Sequence, residues 1–145
     1  MKPFKLQALL DYRKRLADKA HEALLGCMEA REAIAEARDA EAKEIGRLCR
    51  EFENAKARNF DVPEMILYEQ CITSKKRKLQ VLEEQLVQAE EKVREKRRDL
   101  VSARQKKRVL EILKEKRANA EQRRLERQEN MFLDEIAVLG YGGGK

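Results

Sequence analysis

The stretch Asn59-Phe60-Asp61-Val62-Pro63-Glu64 is the one convincing break in a chain that otherwise favours helix. Asn59 can adopt the left-handed backbone conformation that ends a helix. Pro63 disfavours helix at the preceding residue but fits the first turn of a new one. Asp61 followed by Glu64 resembles a capping box, in which the carboxylate accepts a hydrogen bond from a backbone N–H. The stretch therefore predicts a short connection between two helices, which makes them antiparallel neighbours.

The sequence on both sides of this break has few residues that would interrupt a helix. No Pro lies between Leu6 and Ala57, and neither Pro nor Gly lies between Glu64 and Leu139. Charged residues make up 41% of the 145 residues and aromatic residues 5%, a composition typical of coiled coils rather than compact enzymes. We predict an all-α fold and a single domain. Its parts are a helix over about residues 4–58, a hinge at 59–63, a longer helix over about 64–138 and a flexible Gly-rich tail at 140–145, and the two long helices form an antiparallel coiled-coil hairpin.

Heptad spacing supports the hairpin most clearly in the second helix. With Ile72 as position a, nine of the twelve a and d positions are apolar; the positions are Ile72, Lys75, Leu79, Leu82, Leu86, Ala89, Val93, Lys96, Leu100, Ala103, Lys107 and Leu110. With Leu6 as position a, the first helix gives Leu6, Arg13, Ala20, Cys27, Ile34, Glu41 and Leu48 at a, and Leu9, Leu16, Ala23, Ala30 and Ala37 at d. The many Ala residues predict a close approach of the helices. Toward Phe52 the stripe shifts to an 11-residue spacing.

Folding the chain near residue 60 predicts which residues face each other. Facing residue numbers should add to roughly 121, which places Ile34 near Val87 and Leu6 near Glu115. About 20 residues beyond position 115 then have no partner within the hairpin. Apolar residues return in this overhang at Met131, Phe132, Leu133, Ile136 and Leu139. An apolar patch on an overhang gains most by docking on another molecule.

Charge is unevenly distributed and leaves two interpretations open. The chain has a formal net charge of +6, but residues 92–127 alone carry 15 basic and 6 acidic groups. This surface is either a solvated helix face with ion pairs or a docking surface for an acidic partner. Specific nucleic-acid binding is disfavoured because aromatic side chains that could stack on bases are missing from residues 69 to 131.

The sequence offers no recognisable catalytic, cofactor or metal site. His21 is the only His, and Cys27, Cys49 and Cys71 have spacings that fit neither a zinc site nor a disulfide framework. The Gly-rich end at 140–145 does not join a strand to a helix, as a phosphate-binding loop must. No stretch is long and apolar enough to cross a membrane. We therefore expect a cytosolic protein that is not an enzyme.

Both ends of the chain resemble one family. The segment Phe4-Lys5-Leu6-Gln7-Ala8-Leu9-Leu10-Asp11-Tyr12-Arg13 is similar to the opening of the flagellar export protein FliJ family. The segment Arg127-Gln128-Glu129-Asn130-Met131-Phe132-Leu133-Asp134-Glu135-Ile136-Ala137 resembles the end pattern of the same family. Chain length, hairpin position and a basic second helix agree with this resemblance.

The resemblance implies a non-catalytic stalk in the flagellar type III protein export apparatus, located in the cytoplasm and peripherally at the inner face of the cell membrane. The expected partners are the hexameric export ATPase, the cytosolic domain of the export gate and, in some members, export chaperones. By analogy, six residues near the two chain ends would contact the ATPase ring: Phe4, Leu6, Leu9, Met131, Phe132 and Ile136. Four residues of the hinge half would face the gate: Leu48, Phe52, Tyr68 and Ile72. A general coiled-coil scaffold or homodimeric tether is the alternative that the residues leave open.

Overall fold

The protein is all-α, with two long helices packed against each other in a hairpin. The structure is a computed structural model that describes residues 3–58 and 61–142, with side chains as far as Gly140. Helix α1 is Gln7–Ala57 and helix α2 is Val62–Gly142. Within the described residues there is no strand, and α2 is the longer helix. These observations confirm the predicted fold class.

The helix ends differ from the predicted ones by a few residues. Helix α1 starts at Gln7, where its backbone N–H donates to the Phe4 carbonyl at 3.0 Å. Helix α2 starts before Pro63 and continues past position 138 to Gly142, because a single Gly at 140 weakens a helix by only about 1 kcal/mol. Asn59, predicted to end the first helix, lies outside the described residues.

Asp61 caps the second helix as the sequence predicts. Its Oδ1 accepts a hydrogen bond from the backbone N–H of Glu64 at 3.3 Å, and its carbonyl accepts one from the N–H of Met65 at 3.2 Å. Pro63 lies in the first turn, where its missing N–H has no intrahelical partner to lose. These local interactions account for the start of α2 directly after the break.

Residue contacts divide the chain into two compact units that both helices pass through. The end unit is Met1–Ala17 with Ser102–Lys145, and the hinge unit is Asp18–Val101. The expectation of a single domain stays a prediction.

In the hinge unit, large apolar side chains from both helices form the core. Leu24, Val93 and Leu100 make a buried cluster, and Val93 is only 2% exposed. Every predicted a and d position of α2 from Ile72 to Leu100 is buried or half-buried. The heptad register predicted for α2 is therefore confirmed.

The register predicted for α1 is correct in one series and wrong in the other. The a series from Ala20 to Leu48 is buried or half-buried, but the second buried series lies one residue later than predicted. Ala23, Ala30 and Ala37 are exposed, and the inward positions are Leu24, Arg31, Arg38, Ile45 and Phe52. Burying a Leu or Phe removes more apolar surface from water than burying an Ala, and the two Arg can bury their aliphatic stems.

Two further expectations for the facing residues are corrected. The buried positions of α1 keep the spacing of 3 and 4 residues through Phe52 to Ala55, so the predicted shift to an 11-residue repeat is wrong. Val87 is 63% exposed and Leu86 is buried, so Val87 does not face Ile34 across the seam. The prediction that the numbers of two facing residues add to 121 is therefore correct only to within a few residues.

Glu41 is the one acidic side chain that is buried in the described part of the hinge unit. Its Oε1 lies 3.5 Å from Lys75 Nζ and its Oε2 lies 3.8 Å from Lys78 Nζ. Oε1 is fully buried and accepts no hydrogen bond. A buried carboxylate held by long ion pairs recovers little of the cost of leaving water.

We expect Glu41→Leu to stabilise the protein by about 1 kcal/mol, because both lysines remain exposed enough to stay solvated. Urea unfolding followed by circular dichroism at 222 nm measures the change. The matched control is Glu36→Leu, which adds the same side chain at an exposed position of α1 and should change stability little. A loss of stability in Glu41→Leu beyond that of the control would contradict this interpretation of Glu41.

Candidate partner-binding surfaces

In the end unit, the start of the chain packs against residues 114–121 of α2. Lys114 Nζ donates to Gln7 Oε1 at 2.8 Å, and the Arg117 guanidinium lies 6.0 Å from the centre of the Phe4 ring. These residues line a cavity of about 360 Å³ together with Pro3, Ala118 and Glu121. The α2 residues that line this cavity with Phe4 therefore lie 10 to 17 positions before Met131.

The six residues predicted to contact the ATPase ring belong to this end unit, but they do not form one cluster. Phe4 is half-buried beside Arg117, whereas Leu6 and Leu9 are 41% and 39% exposed. The heptad pattern predicts Leu9 in the seam, but Leu10 occupies that place and is 1% exposed. The N-terminal members of the set thus offer apolar surface beside the cavity; they are Phe4, Leu6 and Leu9.

The C-terminal members of the same set lie on a separate stretch of helix. Every described residue from 122 to 140 is exposed. Met131 is 65% exposed, Phe132 is 61% and Ile136 is 48%. Leu125 and Leu139 add to this apolar surface, and the sequence prediction had not assigned them to the ring-binding set. The predicted apolar overhang is therefore present as continuous helix with no covering element in the described residues.

At the hinge end, two of the four predicted gate residues are core residues. Leu48 and Phe52 are each 8% exposed. The Phe52 ring lies 5.4 Å from the Tyr68 ring at an interplanar angle of 49°, and Ile72 is half-buried. Leu48 and Phe52 therefore shape the end of the seam but offer little surface to a partner.

Three apolar residues at the start of α2 supply the exposed surface at this end. Val62 is 67% exposed, Ile66 is 46% and Leu67 is 66%. Leu67 also lines a cavity of about 240 Å³ with Leu48, Glu64, Tyr68 and Cys71. The sequence prediction does not include these three residues, although their positions outside the a and d series of α2 indicate that they face outward.

Net charge differs sharply between the two units. The end unit carries 16 basic and 8 acidic residues, a net charge of +8, and the hinge unit carries 17 basic and 19 acidic residues, a net charge of −2. In the hinge unit, exposed ion pairs within one helix neutralise many of these groups. Hydrogen bonding to Arg47 lowers the pKa of the Glu44 carboxyl, and hydrogen bonding to Arg94 lowers that of Glu91. The uncompensated positive charge therefore belongs to the unit that contains both chain ends.

The described residues show no arrangement suited to a bound metal or to a membrane-spanning segment. No group of three His, Cys, Asp or Glu side chains among them could hold a metal ion. The three cysteines are free thiols, and Cys71 is exposed. Within residues 3–58 and 61–142, neither helix has a stretch apolar enough to cross a bilayer.

The fold and these surfaces define a class of protein, the helical hairpin with apolar side chains exposed in both of its units. The family model for the flagellar FliJ protein matches residues 1–145, the whole chain. The chain therefore belongs to the flagellar FliJ family. Members of this family are non-catalytic components of the flagellar protein export apparatus. Comparisons with curated proteins and with solved structures gave no match.

Proposed function

We propose that this protein is the stalk of the flagellar export ATPase. Its end unit inserts into the ATPase ring and promotes ring assembly and ATP hydrolysis, and its hinge end contacts the cytosolic domain of the export gate. The protein then works in the cytoplasm at the inner face of the cell membrane, held there by its partners. Export chaperones are further partners in this proposal.

The exposed helical segment at residues 122–140 carries the ATPase part of the proposal. Four of its side chains, Leu125, Phe132, Ile136 and Leu139, are between 48% and 74% exposed. Fully burying such a side chain contributes about 1.5–3 kcal/mol, so covering four of them would stabilise a complex strongly. The net charge of +8 in the same unit, carried mainly by residues 1–17 and 102–127, would speed the approach to acidic residues elsewhere on the ring.

The gate part of the proposal concerns the hinge end. Val62, Ile66 and Leu67 form its exposed apolar surface, and Tyr68 and Ile72 lie beside them, half-buried. Leu48 and Phe52, which the family resemblance implies as gate-facing residues, would act by holding Tyr68 in place from the core. The two sets of surface residues belong to different units of the chain.

A rate measurement with purified proteins tests the proposed function. The cognate export ATPase is assayed for phosphate release and for hexamer formation, with and without the full chain. We expect both to rise on addition of the chain. An ATPase whose rate and assembly are unchanged at saturating concentrations of the chain would contradict the proposal.

A further inference from the structure

The last part of α2 differs in charge from the part before it. Residues 102–127 carry ten basic and four acidic groups, whereas residues 128–142 carry three acidic groups and no basic one. Phe132, Ile136 and Leu139 therefore lie in an anionic segment of an otherwise cationic unit, whereas Leu125 lies just before that segment. A partner that complements the whole unit by negative charge alone would repel this segment.

Helix geometry places the acidic groups relative to the apolar ones. At about 100° per residue, Leu125, Phe132, Ile136 and Leu139 fall within an arc of roughly 60° on one side of α2. Glu129 lies just beyond one edge of that arc and Glu135 just beyond the other. Asp134 lies on the opposite side of the helix. The stripe made by these four side chains thus has a carboxylate beside each edge, and the exposed side chains of Leu133, Met131 and Val138 lie beyond those carboxylates.

Neither bordering carboxylate is neutralised by its neighbours along the helix. The residues three and four positions from Glu135 are Met131, Phe132, Val138 and Leu139, none of them basic. The corresponding neighbours of Glu129 are Leu125, Glu126, Phe132 and Leu133. Helical i,i+3 and i,i+4 ion pairs, which neutralise Glu91 and Glu121 elsewhere in α2, are therefore absent at both sites in the described chain.

We infer that the stripe made by Leu125, Phe132, Ile136 and Leu139 docks in an apolar groove of the export ATPase whose rim carries Lys or Arg side chains that pair with Glu129 and Glu135. This inference rests on the proposed function and adds the charge of the contact surface. Helices that bind lipid surfaces carry Lys and Arg beside their apolar face, so the acidic border favours a protein groove over a membrane.

Two adjacent single substitutions test the inference. Glu135→Lys and Asp134→Lys change the net charge of the full chain equally at neighbouring helical positions, but only the first changes the border of the stripe. Binding of each variant to the cognate ATPase is measured by fluorescence anisotropy at 50 mM and at 300 mM salt. We expect Glu135→Lys to weaken binding about tenfold at low salt, and Asp134→Lys to change it less than about twofold. Circular dichroism checks that both variants keep the helix content of the wild type.

Three outcomes distinguish a failure of the proposed function from a failure of the basic-rimmed groove. Wild-type chain that does not bind the ATPase would overturn the proposed function and this inference with it. Wild-type binding that both variants weaken equally, or that neither weakens, would overturn the basic-rimmed groove alone. Tighter binding by Glu135→Lys would mean that the face meets an anionic surface and would also overturn it.

Discussion

Deleting residues 122–145 should abolish stimulation of the cognate export ATPase while leaving the rest of the protein folded. The described residues from 122 to 140 bury no side chain, so their removal exposes no core. The contacts of the chain start with α2 are made at positions 114–121 and are retained. Losing four exposed apolar side chains that a complex would bury should weaken binding by more than about 100-fold.

Phosphate release against chain concentration measures this loss, and thermal unfolding shows that the truncated chain remains stable. Phe132→Ser with Ile136→Ser removes part of the same surface without shortening the helix and should lower stimulation in the same direction. The matched control is Ile66→Ser, which removes an exposed apolar residue from the hinge unit. Full stimulation by the truncated chain would contradict the assignment of residues 122–140 to the ATPase.

Replacing Val93 with Asp should destabilise the protein by about 3–4 kcal/mol, the largest effect on folding that we expect from a single exchange. Val93 is 2% exposed within the cluster formed with Leu24 and Leu100. A carboxylate there would lose its hydration with no basic residue in the cluster to pair with. Urea unfolding followed at 222 nm gives the difference in free energy.

Val87→Asp is the matched control, because it makes the same exchange in the same helix at a position that is 63% exposed. The helix propensity cost of Asp is common to both variants, so the difference between them reports burial. We expect Val87→Asp to lower stability by less than about 1 kcal/mol. Equal losses in the two variants would contradict the register in which Leu86 and Val93 face α1.

The sequence was sufficient to predict the second helix and its register. Leu79, Leu86, Val93 and Leu100 repeat every seven residues with large side chains, so one helical face is distinctly more apolar than the others. The start of α2 could be predicted equally well, because Asp61 acts through a local hydrogen bond from the backbone N–H of Glu64. Both features depend on interactions within one helix or on a strong periodic pattern.

The first helix was harder to predict because its inward face is not its most uniformly apolar one. Counting Ala as apolar favoured Ala23, Ala30 and Ala37, but Ala contributes little on burial. Arg31 and Arg38 take inward positions that a hydrophobicity pattern rejects. Which of two adjacent series faces inward is settled by packing against α2, and that information is not local to α1.

The candidate surfaces were only partly predictable for the same reason. Phe132 and Ile136 were found because the apolar residues return after a polar stretch that separates them from the heptads. Leu48 and Phe52 were assigned to a surface although they are core residues, since a pattern of apolar residues does not distinguish a buried position from a docking position. The family match covers the whole chain but does not assign residues to partners.

Site-specific crosslinking tests most directly which end of the protein meets the ATPase. A photoreactive amino acid is placed in the full chain at Phe132 in one variant and at Ile66 in another, two exposed apolar positions in different units. Each variant is irradiated with the cognate export ATPase. We predict a crosslink to the ATPase from position 132 and none from position 66. A crosslink from position 66 alone would contradict the assignment of the end unit to the ATPase ring.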